Sequence, residues 1–112
     1  MAKLAPLGLF GTATRTSTLL VIGMLGETHA SEIAKVTGKS LSRVQAAIQS
    51  FEGAGVIVVN EEGRTRRVQL NPRYPALYEL VALLTKLGTI DVPLQNRLAE
   101  RRRRPRRSGK PL

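Results

Sequence analysis

Residues 31–49 read Ser31-Glu32-Ile33-Ala34-Lys35-Val36-Thr37-Gly38-Lys39-Ser40-Leu41-Ser42-Arg43-Val44-Gln45-Ala46-Ala47-Ile48-Gln49, and the fold turns on how this run divides. Thr37-Gly38-Lys39 reads as a tight turn, because glycine enters the left-handed backbone region at little steric cost. Ahead of it, Ser31 is the expected N-cap of a helix of barely two turns, with Ile33, Ala34 and Val36 as its buried stripe. Behind it, Ser40 is placed to cap a longer helix, Leu41 to Ala54. There Leu41, Val44, Ile48 and Phe51 recur at spacings of three and four and are expected to face the core. The opposite face is small and polar: Ser42, Arg43, Gln45, Ala46 and Gln49, with Glu52 as the one acid near the far end.

Working outward, Thr12 to Leu25 has a helical period through Leu19, Ile22 and Leu25, with Leu20 and Met24 beside them. Thr12 or Thr14 serves as the cap, and Gly26 is the stop. Downstream, Gly55 follows the long helix. Val56 to Val59 and Arg67 to Leu70 are β-prone runs, and Asn60-Glu61-Glu62-Gly63-Arg64 between them reads as a hairpin connection. Alternation puts Arg64 and Arg66 on one face of that hairpin and Arg67 on the other, unless a bulge intervenes. Tyr74 to Leu87 resumes the helical period through Leu77, Leu80, Val81, Leu84 and Leu87. A last helix is expected from Asp91 through Leu94 and Leu98 until Pro105 stops it. The fold class expected is mainly α with a small β-hairpin. Residues 1–90 form the domain, including helix 74–87, and residues 91–112 form a basic helix and a disordered arginine-rich tail.

Composition narrows what such a chain does. At 112 residues one domain is expected. Apolar residues reach 42% and aromatics only 4%, so the core rests on Leu, Val, Ile and Ala. The apolar stretch from Leu19 to Leu25 is far short of the ~20 residues a bilayer span needs, so no membrane association is expected. Met1 to Phe10 carries one lysine and no long apolar block, which does not read as a secretion signal, and a cytoplasmic location is the expectation. With no cysteine and one histidine, neither a metal nor a cofactor is expected. That histidine, His29, is assigned no functional role. No glycine-rich phosphate loop, paired catalytic carboxylates or activated nucleophile is legible, so the chain does not read as an enzyme.

The formal charge of +10 points to a polyanionic partner, because basic residues that meet a polyanion release its condensed counterions. Residues 97–112 hold eight of the 18 basic residues against one acid, for a charge of +7, which leaves +3 on residues 1–96. Pooled charge does not separate DNA from RNA, a ribosome or an anionic membrane.

The order of elements carries more information. Leu9-Phe10-Gly11 leads to Arg15 and Leu19-Leu20. Glu32-Ile33-Ala34 precedes Thr37-Gly38-Lys39-Ser40, and Ser42-Arg43-Val44-Gln45 follows. Glu52-Gly53-Ala54-Gly55-Val56-Ile57 closes the helix, and Gly63-Arg64-Thr65-Arg66 tips the hairpin. Over roughly Leu9 to Leu87 this resembles the winged helix-turn-helix transcriptional regulators of the ArsR and MarR type. Gly53 departs from the pattern, standing where such proteins carry a good helix former. The lack of cysteine and of a histidine set argues against the metal-sensing branch.

The resemblance implies a prokaryotic, double-stranded DNA-binding transcriptional regulator acting as a repressor, nucleoid-associated through its DNA. Helix 41–54 would enter a major groove, and wing 56–70 would meet the backbone or a minor groove. Arg43 suits guanine, Gln45 or Gln49 adenine, and Ala46 a thymine methyl; Ser42 also faces the groove. Ser40 would cap and donate to phosphate. Arg64, Arg66 and Arg67 would serve the wing, and Arg101, Arg102, Arg103 and Arg104 would track phosphates. Leu77, Leu80, Val81, Leu83, Leu84 and Leu87 exceed what a one-sided helix needs, so the core wraps them or a second copy does; a homodimer is expected. No small-molecule effector is legible. Two other readings stay open: an RNA- or ribosome-associated winged-helix module, and a protein-interaction adaptor. The polar helix face also reads as plain solvated surface, and Glu61 and Glu62 partly cancel the wing's charge.

Overall fold

A computed structural model describes residues 8–103. Its eight elements run α1 (Ala13–Leu25), β1 (Glu27–Thr28), α2 (Ala30–Thr37), α3 (Leu41–Gly53), β2 (Ile57–Glu62), β3 (Thr65–Leu70), α4 (Leu77–Ile90) and α5 (Val92–Arg103). The chain is mainly helical with a small antiparallel sheet of order β1-β3-β2. The expected hairpin is therefore part of a three-stranded sheet. Glu27 pairs with Gln69 and Thr28 with Val68. A strand of two residues has no room to show the alternation by which strands are read.

That short strand also moves the next helix start. His29 leaves the sheet in extended backbone, φ −149°, and its Nδ1 accepts from the Glu32 amide at 3.3 Å. His29, not Ser31, is thus the N-cap of α2, and Ser31 Oγ lies 3.0 Å from the same ring nitrogen. At the other end Gly38 takes the left-handed conformation, φ +75°, and its amide closes on the Ala34 carbonyl. Ser40 caps α3 as expected, accepting from the Arg43 amide at 3.3 Å. The helix ends at Gly53, with Ala54 as its C-cap. Val44, Ala47, Ile48 and Phe51 are buried, but Leu41 is 44% exposed and does not join the core, contrary to its place in the expected stripe.

β2 and β3 pair without interruption from Ile57 opposite Leu70 to Glu62 opposite Thr65, which leaves Gly63 and Arg64 as a two-residue turn. There is no bulge. The next helix begins at Leu77 rather than Tyr74. Pro75 disfavours helical backbone at Tyr74, and Asn71 gathers the intervening turn, accepting from the Arg73 amide while its Nδ2 donates to the Gly55 carbonyl. α4 then runs to Ile90, three residues past the expected end.

The core surrounds α1, whose Leu19, Leu20, Val21 and Ile22 are fully buried. α1 and α4 approach closely at two glycines. A Cβ on Gly23 would lie 2.9 Å from Leu84, and one on Gly88 would lie 2.5 Å from Met24 Sδ. α5 belongs to the same body: Asp91 is buried and caps it through the Leu94 amide, and Leu94 and Leu98 join the core cluster. The expected boundary at residue 90 falls inside one packed unit. The expected disordered tail lies almost wholly outside the described residues.

Candidate nucleic-acid interface

The N-terminus of α2, one flank of α3 and the β2–β3 hairpin enclose an open groove. α3 contributes Leu41, Ser42, Gln45, Ala46, Gln49 and Glu52; α2 and its cap contribute His29, Ala30 and Ser31; the hairpin contributes Val59, Arg64, Thr65, Arg66 and Val68. Four of the expected site residues, Ser42, Gln45, Ala46 and Gln49, thus share one wall, and Arg64 and Arg66 stand on the other. Ser40 sits exposed at the head of α3, engaged as its cap. Arg43 is exposed but is not in the groove wall. The helical period puts it on the same face as Ser50, two turns away, on the flank toward α1, where Arg15 donates to Ser50 Oγ and lies 4.5 Å over the Phe51 ring.

The arginines divide by what already holds them. Arg67 lies across the sheet from the groove, its Nη1 2.8 Å from Glu27 on β1 and its Nη2 3.0 Å from Glu62 on β2. The hydrogen bond to Glu27, with the charge of Glu62, raises its pKa further above an already high value. Arg67 laces the three strands together and is not disposed toward a ligand in the groove, whereas the sequence reading had placed it among the wing contacts. Arg66 keeps a loose, exposed pairing with Glu61 at 3.7 Å. Arg64, at the turn, has no ion pair among the described residues.

Arg101 is likewise committed. Its Nε donates to Glu32 Oε2 at 2.7 Å, and Glu32 Oε1 accepts from Thr28 Oγ1 at 2.6 Å. Burial pushes the Glu32 carboxyl up, but the Thr28 and Arg101 hydrogen bonds outweigh it and hold its pKa below the usual glutamate value. Arg102 is exposed, Arg103 is the last residue of α5, and Arg104 lies outside the described residues.

No family model, curated protein or solved structure matches this chain. Its own geometry therefore carries the reading. Among the described residues no helix is long and apolar enough to cross a membrane, and no three His, Cys, Asp or Glu side chains gather in a way that would hold a metal ion.

Sequence reasoning missed His29, Leu41 and Thr65 in the groove wall. For His29 a signal existed, since a glutamate three residues on, at Glu32, is the usual companion of an N-cap. It also missed Arg97, whose Nη1 donates to the Val36 and Thr37 carbonyls at 3.2 and 2.7 Å and so satisfies the C-terminal end of α2. Nothing local marks that pairing, because the partners are about sixty residues apart.

Proposed function

We propose that the chain is a winged helix-turn-helix protein that binds double-stranded DNA and regulates transcription, most directly as a repressor in a prokaryotic cytoplasm. The observation that carries this is the groove. An α-helix fits the major groove of B-DNA, and the outward wall of α3 offers Ser42, Gln45, Ala46 and Gln49 with no ion pair among them. α2 and the hairpin stand on either side to meet the backbone. Gln45 and Gln49 are suited to adenine, Ala46 to a thymine methyl, and Arg43 reaches its base or phosphate from the α1 flank. Arg64 supplies the wing contact, with Arg66 second. Arg67 and Arg101 support the scaffold.

A regulator of this kind reads paired half-sites as a homodimer, and α4 supports that arrangement. Glu79, Leu83, Lys86 and Ile90 form one outward stripe at spacings of four, three and four, opposite buried Leu84 and Gly88. Leu83 and Ile90 remain 43% and 41% exposed. Glu79 and Lys86 are the only charges on the helix. A two-fold axis between Ala82 and Leu83 would set each against the opposite charge of an antiparallel second copy, so the occupant this face fits is another α4.

The test is selection of preferred duplexes from a random pool at near-physiological salt, with structured RNA as competitor. A two-fold symmetric motif with half-sites about 34 Å apart supports the reading. Stronger binding to the RNA would favour the RNA module, and salt-sensitive binding without a motif would reduce α3 to scaffold.

A further inference from the structure

We infer that Leu41 is a methyl-reading residue: at the head of α3 it recognises the C5-methyl group of a thymine in the major groove, and it accepts 5-methylcytosine at the same step. This deepens the DNA-binding reading, on which it rests, and makes affinity for the duplex depend on cytosine methylation there.

Periodicity assigns Leu41 to the core stripe of α3, and packing leaves it out. Val44, Ala47, Ile48 and Phe51 are buried, whereas Leu41 is 44% exposed. Turning the helix to cover Leu41 would uncover the others, so the core itself fixes this exposure. Of the large apolar side chains exposed among the described residues, Leu41 alone lines the groove between α3 and the hairpin; the others are Leu9, four residues of α4 and the first residue of α5. Its position is well held. Ser40 Oγ accepts from the Arg43 amide and so fixes the turn that carries Leu41. Ser42 is next in sequence and Gln45 follows one turn on, both lining the same groove. In a helix seated in the major groove the N-terminal residues reach the base edges, and Leu41 is the first residue of α3.

What a leucine can recognise there is narrow. It neither donates nor accepts a hydrogen bond, and in the major groove guanine, cytosine and adenine are read by their donors and acceptors; thymine adds an apolar group, its C5-methyl. Against the other three edges the side chain would displace water without replacing the hydrogen bonds lost. Against a methyl it buries apolar surface on both sides, worth about fourfold in affinity for one methyl-sized group. A methyl on C5 of cytosine occupies the same ring position, so the contact follows the methyl and not the base that bears it. Ala46 stands five residues on, about 7.5 Å further along the helix axis, and meets a different step.

The test uses the full chain and a duplex recovered by selection. Each thymine of one half-site is replaced in turn by deoxyuridine, which removes the methyl and keeps every hydrogen-bonding group, and binding of the unaltered protein, Leu41→Met and Leu41→Ala is titrated at fixed salt. One replacement should weaken the unaltered protein about fourfold. Leu41→Met should keep most of that ratio, and Leu41→Ala should bring it to about one while leaving the ratio at the thymine read by Ala46 unchanged. At the same step, 5-methylcytosine should bind tighter than cytosine by a similar factor, again only with Leu41 or Met in place. Alanine is the better helix former and the leucine is exposed, so melting curves should show Leu41→Ala folded. A thymine-to-deoxyuridine ratio unmoved by Leu41→Ala in a folded protein, a half-site with no methyl-sensitive thymine beyond that of Ala46, or a 5-methylcytosine-to-cytosine ratio near one would each overturn the inference and leave DNA binding standing. A pool that yields no duplex motif removes the DNA-binding reading and this inference with it.

Discussion

The hairpin and α5 carry the same residue type in similar density and use it differently. On the hairpin, Arg67 ties β1 to β2 and Arg66 leans on Glu61, which leaves Arg64 at the turn. On α5, Arg97 and Arg101 are bound to α2, and no acidic residue follows Glu100 in the given sequence. The contrast shows that a count of basic residues is a poor count of cations free to meet a polyanion. Acids placed across the fold decide which cations are already spent.

The sharpest way to break this comparison is to ask whether α5 is part of the body at all. Leu98→Ala should destabilise the fold by about 2–4 kcal/mol, read from denaturant unfolding, because its side chain is almost wholly buried in the shared core. A change within about 0.5 kcal/mol would make α5 an appendage and void the contrast. Next in size, Arg43→Ala should cost about 1–3 kcal/mol on the selected duplex and much less on random DNA, measured by titration at fixed salt. Equal losses on both would mean that Arg43 reads no base.

A paired comparison within the hairpin is smaller but more pointed. Arg64→Ala should lower the salt slope by about one and leave the melting temperature unchanged, whereas Arg67→Ala should lower the melting temperature and barely move the slope. If the two variants trade places, the assignment of Arg67 to the sheet is wrong.

The smallest effect concerns Glu32. Its folded pKa is depressed, so its ion pair contributes above the unfolded value near 4.3 and the contribution is lost as pH falls through the folded one. Between pH 6 and pH 3, Glu32→Gln should flatten the loss of stability by under about 1 kcal/mol, since the partner Arg101 is partly exposed.

Much of this was legible in the chain. The glycine turn at Gly38, the cap at Ser40 and the spacing of Val44, Ile48 and Phe51 are local signals, and the α2–α3 pair follows them. Ser42, Gln45, Ala46 and Gln49 could be placed together by period alone. What was not legible is non-local. β1 has two residues, a glutamate and a threonine, and exists only because β3 offers an edge. His29 became the cap because that strand delivers it in extended backbone. Glu27, the β1 partner of Arg67, and Glu32, the partner of Arg101, lie 40 and 69 residues away, and no pattern in the sequence connects them. The close approach at Gly23 and Gly88 was equally hidden, since a glycine in a helix looks locally like a weakness.

The cap that Arg97 places on α2 has a consequence in time. An eight-residue helix does not persist alone, and its last carbonyls are satisfied by a side chain made some sixty residues later. A chain emerging from the ribosome would thus carry α3 and its polar face well before α2 is secured beside it. The groove would be completed only once α5 has been made, which ties its shape to a helix that lines no part of it.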